Sequence, residues 1–228
     1  FRTGGNANTF VIAENIDELE IILNETNEPF YIIGAGSNIL IRDNGFKGTI
    51  IKLGKGFNSF NISDDIIEVG ASILDINLSN FALKNNIEGF EFFSGIPGSV
   101  GGAVKMNAGC FGSETKDKID SIEILNNNLE KKVIKKNIIN LNYRSSNLLS
   151  TQVVLKAFFK ISYGDKESIY NKMLDIKNKR LSSQPIQNRT SGSTFKNPPK
   201  LYAAKLIEEA GCKGLMHGNA FVSDKHAN

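Results

Sequence analysis

The sequence has only two cysteines, Cys110 and Cys212, in 228 residues. That is too few for a disulfide scaffold, and neither belongs to a C-x-x-C pair or lies near a histidine at metal-ligand spacing. Both read as reduced thiols, and no metal site is expected. Charge of one sign is also lacking, since 27 Lys+Arg against 24 Asp+Glu leave a formal +3. No strong field therefore favours nucleic acid or an anionic membrane. No window approaches the roughly 20 uninterrupted apolar residues of a membrane span, and no basic-then-apolar leader opens the chain. A cytoplasmic protein is expected, with monomer the favoured state. Histidine is scarce too: His217 and His226 are the only two, which weakens a Ser-His-Asp hydrolase without excluding it. Internal repeats and low-complexity tails are absent.

What is present is ordinary globular composition, 40% hydrophobic and 22% charged, at a length suited to one large domain or two to three small ones. Ile16, Leu19, Ile22 and Leu23 share a helical face, and Phe30 to Ile33 reads as a buried strand closed by Gly34. Ile39 to Ile41, Thr49 to Ile51, Ile66 to Val69, Ile122 to Leu125, Val133-Ile134 and Val153 to Ile161 are further strand candidates. Leu74, Leu78, Phe81 and Ala82 mark one helix. Ile169, Met173, Leu174 and Leu181 mark another, and Leu201 to Ala210 a third, with Gly211 as its stop. The lysine pairs at 131–132 and 135–136 read as a solvated hairpin edge.

Three segments carry chemistry. Gly34-Ala35-Gly36-Ser37-Asn38 follows a strand, but Ile39 stands where a Rossmann fingerprint needs its third glycine. Such a turn either serves the chain alone or brings backbone N–H groups close to a phosphate, because no Cβ intervenes. The stretch from Ser94 to Gly112 includes Gly95, Pro97, Gly98, Ser99, Gly101, Gly102, Asn107, Ala108 and Gly109. With six glycines in nineteen residues, it is expected to form no regular element and to lie against something large and flat or anionic; a structural Ω-loop is the other reading. Gly192 to Pro198 brings together a hydroxyl (Ser193), an ammonium (Lys196) and an amide (Asn197), although a loop serine often merely caps a helix.

Taken in order with Tyr143-Arg144-Ser145-Ser146 and Val222 to Asn228, these segments resemble the UDP-N-acetylenolpyruvoylglucosamine reductase (MurB) family over nearly the whole chain. The spacing of Arg144 and Ser193 matches the shorter form, which lacks a tyrosine-bearing lid loop. The resemblance implies an α+β fold: a two-subdomain FAD-binding unit of the vanillyl-alcohol-oxidase (PCMH) type at 1–53 and 54–182, then a substrate-binding α+β domain at 183–228 that is incomplete here. Residues 34–38 and 95–109 would hold non-covalent FAD.

The family reduces an enolpyruvyl ether of a UDP-sugar with NADPH as co-substrate, passing a hydride through the flavin to the vinyl carbon. Arg144 would then stabilise the carboxylate-delocalised intermediate, since a guanidinium stays charged and binds carboxylates bidentately. Ser193 would donate the proton, with Lys196 as its assistant, and Lys196 and Asn197 would contact the UDP-sugar. The family's further catalytic glutamate lies beyond Asn228, so no residue here is assigned that role; both chain ends are expected to be trimmed. Two alternatives stay open: a flavin-dependent sugar or alcohol oxidase of the same fold, and a catalytically incomplete flavin- or nucleotide-binding fragment.

Overall fold

In the computed structural model, which describes residues 3–185, 188–190 and 192–228, the chain builds two main β-sheets. The first is parallel. Strand β1 (Ala7–Ala13) leads through helix α1 (Ile16–Glu25) to β2 (Phe30–Ile33), and β3 (Phe46–Leu53) lies between them in the order β1-β3-β2. Helix α1 starts where it does because Asn15 caps it, its side chain accepting the Glu18 N–H at 2.9 Å. Leu19 then falls on the buried face against Ile51 and Ala13.

The second sheet is antiparallel, in the order β4-β5-β10-β8-β9, from β4 (Phe60–Ser63), β5 (Ile66–Gly70), β8 (Ile119–Leu125), β9 (Lys131–Lys135) and β10 (Val153–Lys160). Strict alternation buries Ile67 and Val69 of β5, and Phe159 of β10 meets Phe90 and Phe93 edge-on at centroid distances of 5.7 and 5.9 Å. The lysine-rich β9 is an edge strand, where exposed cations discourage pairing with another sheet.

Between β5 and β8 the chain leaves the sheet to form helix α2 (Asp75–Lys84), a 3₁₀ turn at Glu91–Gly95, helix α3 (Val100–Met106), the small hairpin β6 (Gly109–Cys110) with β7 (Ser113–Glu114), and helix α4 (Thr115–Lys118). Helix α5 (Lys166–Ser183) packs on the 3₁₀ turn. Helix α6 (Ala203–Glu209) and the hairpin β11 (Met216–His217) with β12 (Ala220–Phe221) follow. Gly211 takes φ = 70° just past α6, as its stop requires. Among the described residues, no helix is long and apolar enough to cross a membrane.

Three expectations fail. Phe30 to Ile33 is a strand but not a buried one: Tyr31 is exposed and its three neighbours are only half-buried, because β2 is an edge of its three-stranded sheet. Ile39 to Ile41 is not a strand: it belongs to the return from β2 to β3, which a parallel pairing must route outside the sheet, and it leaves Leu40 exposed. The glycine-rich stretch is not free of regular structure, because α3 runs through Gly101 and Gly102. Tertiary contact outweighs poor propensity there: Gly101 N–H donates to Ala71 O at 2.9 Å, and a Cβ on Gly101 would stand 3.0 Å from the Ala71 Cβ.

Candidate active site

The segments named from the sequence converge in pairs. Gly34, at the end of β2, lies so close to the Ser99 hydroxyl that any side chain there would collide with it. The loop carrying Ser99 is zipped onto the chain that follows β5. Asp75 N–H donates to Gly98 O at 3.0 Å, Val100 N–H to Ile73 O at 2.9 Å, and Gly101 N–H to Ala71 O. Each sheet thus contributes one glycine-bearing turn. Gly34, Ala35, Gly36, Pro97 and Gly102 remain exposed where the turns meet.

This cradle meets the physical requirements of FAD. Backbone at Gly36 (φ = 70°) and at Gly102 is free of crowding, so a pyrophosphate could approach it. Asp75, whose side chain packs beneath Gly98 of the loop, is fully buried, and burial pushes its carboxyl up to about 8. A neutral carboxyl there does not repel phosphate. Cys110 is equally quiet. Its Sγ donates to Phe92 O at 3.1 Å, and burial raises the thiol to about 11 despite the nearby guanidinium groups of Arg180 and Arg144.

Arg144 sits on a segment stapled to α3 and β6. Ser146 Oγ donates to Lys105 O at 2.7 Å, Lys105 Nζ reaches the carbonyls of Leu148 and Leu149, and Asn107 Nδ2 donates to Asn142 O at 3.0 Å. The guanidinium donates from Nη2 to Gly109 O at 2.6 Å, and Nη1 stands 3.6 Å from Glu114 Oε1. Nη1 is buried and has no hydrogen-bond acceptor among the described residues. Asn107, expected to touch the cofactor, is fully buried with every side-chain polar atom engaged inside the chain, so its side chain organises the site rather than lining it.

Tyr143 joins the two groups of candidate catalytic residues. The Arg144 guanidinium lies over its ring at 4.9 Å, and its hydroxyl accepts the Asn197 N–H at 3.4 Å. Asn197 Oδ1 accepts from Ala203 N at the start of α6. Asn228 grips the same loop from the other side, its amide bonding both the N–H and the carbonyl of Phe195 at 2.7 and 2.9 Å. Ser193 and Lys196 are exposed, and no hydrogen bond joins them among the described residues. The histidines do not approach a hydrolase arrangement: His226 Nδ1 bonds the Asn228 backbone. Among the described residues no cluster of His, Cys, Asp and Glu could hold a metal ion.

Sequence reasoning missed Asp75 and Glu114. An acid in the first turn of a helix reads as solvated, and Glu114 falls just past the last glycine of the motif.

Residues 7–128 match the FAD binding domain family, and residues 184–228 match the UDP-N-acetylenolpyruvoylglucosamine reductase C-terminal domain family. UDP-N-acetylenolpyruvoylglucosamine reductase of Rickettsia conorii is 44% identical over all of this chain and 78% of its own length. That of Clostridium tetani is 42% identical over all of this chain and 75% of its own. The crystal structure of the Thermus caldophilus enzyme superposes with a TM-score of 0.87 at 33% identity, covering 96% of this chain and 79% of that one.

Proposed function

Since the chain belongs to the UDP-N-acetylenolpyruvoylglucosamine reductase family, we propose that Arg144 and Ser193 are its catalytic residues, in the roles the motif resemblance gives them. The reaction is the NADPH-dependent reduction of the enolpyruvyl ether of UDP-N-acetylglucosamine to UDP-N-acetylmuramate, a step of peptidoglycan precursor synthesis. Bound FAD supplies the two-electron relay between NADPH and the enolpyruvyl double bond.

The chain's own residues divide the remaining work. Gly34 to Asn38 and Gly95 to Gly102 would hold the cofactor through backbone groups, and Ala108 and Gly109 would flank its ring. Arg144 would meet the substrate carboxylate, where negative charge develops as the adjacent carbon is reduced. Ser193 would deliver the proton, and Lys196, an exposed ammonium three residues on, would lower the cost of that transfer. Lys196 and Asn197 would contact the UDP-sugar. In this reading residues 1–53 and 54–182 are the cofactor subdomains and 183–228 belong to the substrate domain. A monomer remains the favoured state in this reading, and a UDP-sugar with NADPH as substrates supports a cytoplasmic enzyme.

The observation that carries the reading is the Arg144 guanidinium, fixed at 2.6 Å on the Gly109 carbonyl of the expected flavin loop with a second nitrogen left unsatisfied. Rapid mixing tests it with Ser193→Ala. Flavin reduction by NADPH should persist, while reoxidation by the enolpyruvyl substrate should fall by about 10²-fold or more. Equal slowing of both half-reactions would make Ser193 structural.

A further inference from the structure

Arg144 holds a backbone conformation that residues with side chains seldom adopt, φ = 54°. It occupies a tight turn closed by Asn142 N–H to Ser145 O at 3.0 Å and Ser145 N–H to Asn142 O at 3.2 Å. Such a conformation persists only where the surroundings over-determine it. Here the surroundings converge on Glu114. Its Oε2 accepts from Asn107 Nδ2 at 3.0 Å and pairs with Lys116 Nζ at 2.8 Å, and its N–H donates to Asp117 Oδ2 at 2.7 Å. Asn107 in turn clamps Asn142, two residues before Arg144, and accepts the Lys116 N–H at 2.9 Å. The carboxylate is therefore held from several sides and offers its remaining oxygen, Oε1, to Arg144 Nη1.

We propose that Glu114 is a positioning residue for Arg144, fixing the plane in which the guanidinium meets the substrate carboxylate. The proposal rests on the reading of Arg144 as catalytic. The bond from Nη2 to Gly109 O fixes one nitrogen and leaves the group free to swing about it; a second anchor at the other nitrogen removes that freedom. At 3.6 Å the anchor is too long to count as a hydrogen bond to Nη1, so the guanidinium keeps unspent donor capacity for a substrate carboxylate. Lys116 and Asn107 engage the other carboxylate oxygen, so the charge of Glu114 is shared between Lys116 and Arg144.

Glu114→Gln is the direct test. Its amide oxygen can keep Asn107 and Lys116, but its amide nitrogen then faces Nη1, donor against donor. Flavin content and flavin reduction by NADPH should stay within about twofold of the parent, while reoxidation by the enolpyruvyl substrate slows about 10- to 100-fold. Calorimetric binding of UDP-N-acetylmuramate should weaken as well. In an Arg144→Lys background the same change should cost little more, because the group it orients is gone. Unchanged reoxidation, tighter product binding, equal slowing of both half-reactions, or additive losses would each overturn the proposal. If Glu114→Gln cannot be obtained with flavin, Lys116→Met decides: it loosens Glu114 without touching Arg144, and an unaltered reoxidation rate would overturn it. Arg144→Lys alone separates the layers. If it leaves reoxidation intact, the role of Arg144 is wrong; if it slows reoxidation while Glu114→Gln does not, only the role of Glu114 is.

Discussion

The carboxyl of Asp75 is packed against the Cα of Gly98. A Cβ on that glycine would stand 2.5 Å from Asp75 Oδ2, and the Asp75 N–H donates to the Gly98 carbonyl at 3.0 Å. Among the described residues neither carboxyl oxygen has a hydrogen-bond partner, so the cofactor loop rests on a buried acid whose proton has no acceptor there.

Stability should therefore depend on pH in a direction unusual for a carboxylate. Burial raises Asp75 from 3.8 to about 8 in the folded chain. Between those values the folded state binds the proton more tightly than the unfolded state, so this contribution is complete below the lower value and is lost as pH rises through the upper one. Asp75→Asn should flatten the fall in denaturation midpoint over this range. An unchanged slope would mean that Asp75 is not its source.

Gly98→Ala should weaken FAD retention, because the new methyl must displace either Asp75 or the loop. A cost of about 1–3 kcal/mol is expected for such overpacking, read as flavin fluorescence appearing on dilution. Asp75→Ala in the same chain makes room and should restore part of the affinity. Failure of that rescue would place the strain elsewhere.

FAD should be free of any covalent link. Cys110, the only thiol in the loop, spends its proton on Phe92 O and is held far from the thiolate form. Acid precipitation should leave all yellow colour in the supernatant, and colour kept in the pellet would implicate Cys110.

Asn228→Ala should release the loop that carries Ser193, since it removes both bonds to the Phe195 backbone. Hydrogen exchange at the Phe195 amide should accelerate, and substrate-driven reoxidation should slow more than flavin reduction. An amide still protected in the variant would show that other contacts hold the loop.

Strands of the antiparallel sheet such as Ile66 to Val69 and Ile122 to Leu125 could be read as short apolar runs because the core buries their large side chains. Helix α3 could not, since Gly101 and Gly102 argue against a helix until Ala71 is seen packed on it. Ile39 to Ile41 has strand composition, and only the route of the parallel crossover excludes it. The motifs led to Arg144 and the glycine turns, whose chemistry is carried by residue type. The groups that hold them, Glu114, Asn107 and Tyr143, act through distances between segments far apart in sequence, and local pattern contains no record of those.

Strand β10 lies between β5 and β8, although both precede it in the chain. The sheet therefore cannot close until residues 153–160 have been made, and α2, the glycine-rich loop and α3 all follow a strand, β5, that has β4 on one side but still lacks β10 on the other during synthesis. A ribosome-bound chain shorter than this has the first sheet and the β4–β5 and β8–β9 pairs, but not the strand that joins those two pairs. Flavin capture is thus tied to the late, non-local step of folding, and a nascent chain should acquire its yellow colour only after β10 has emerged.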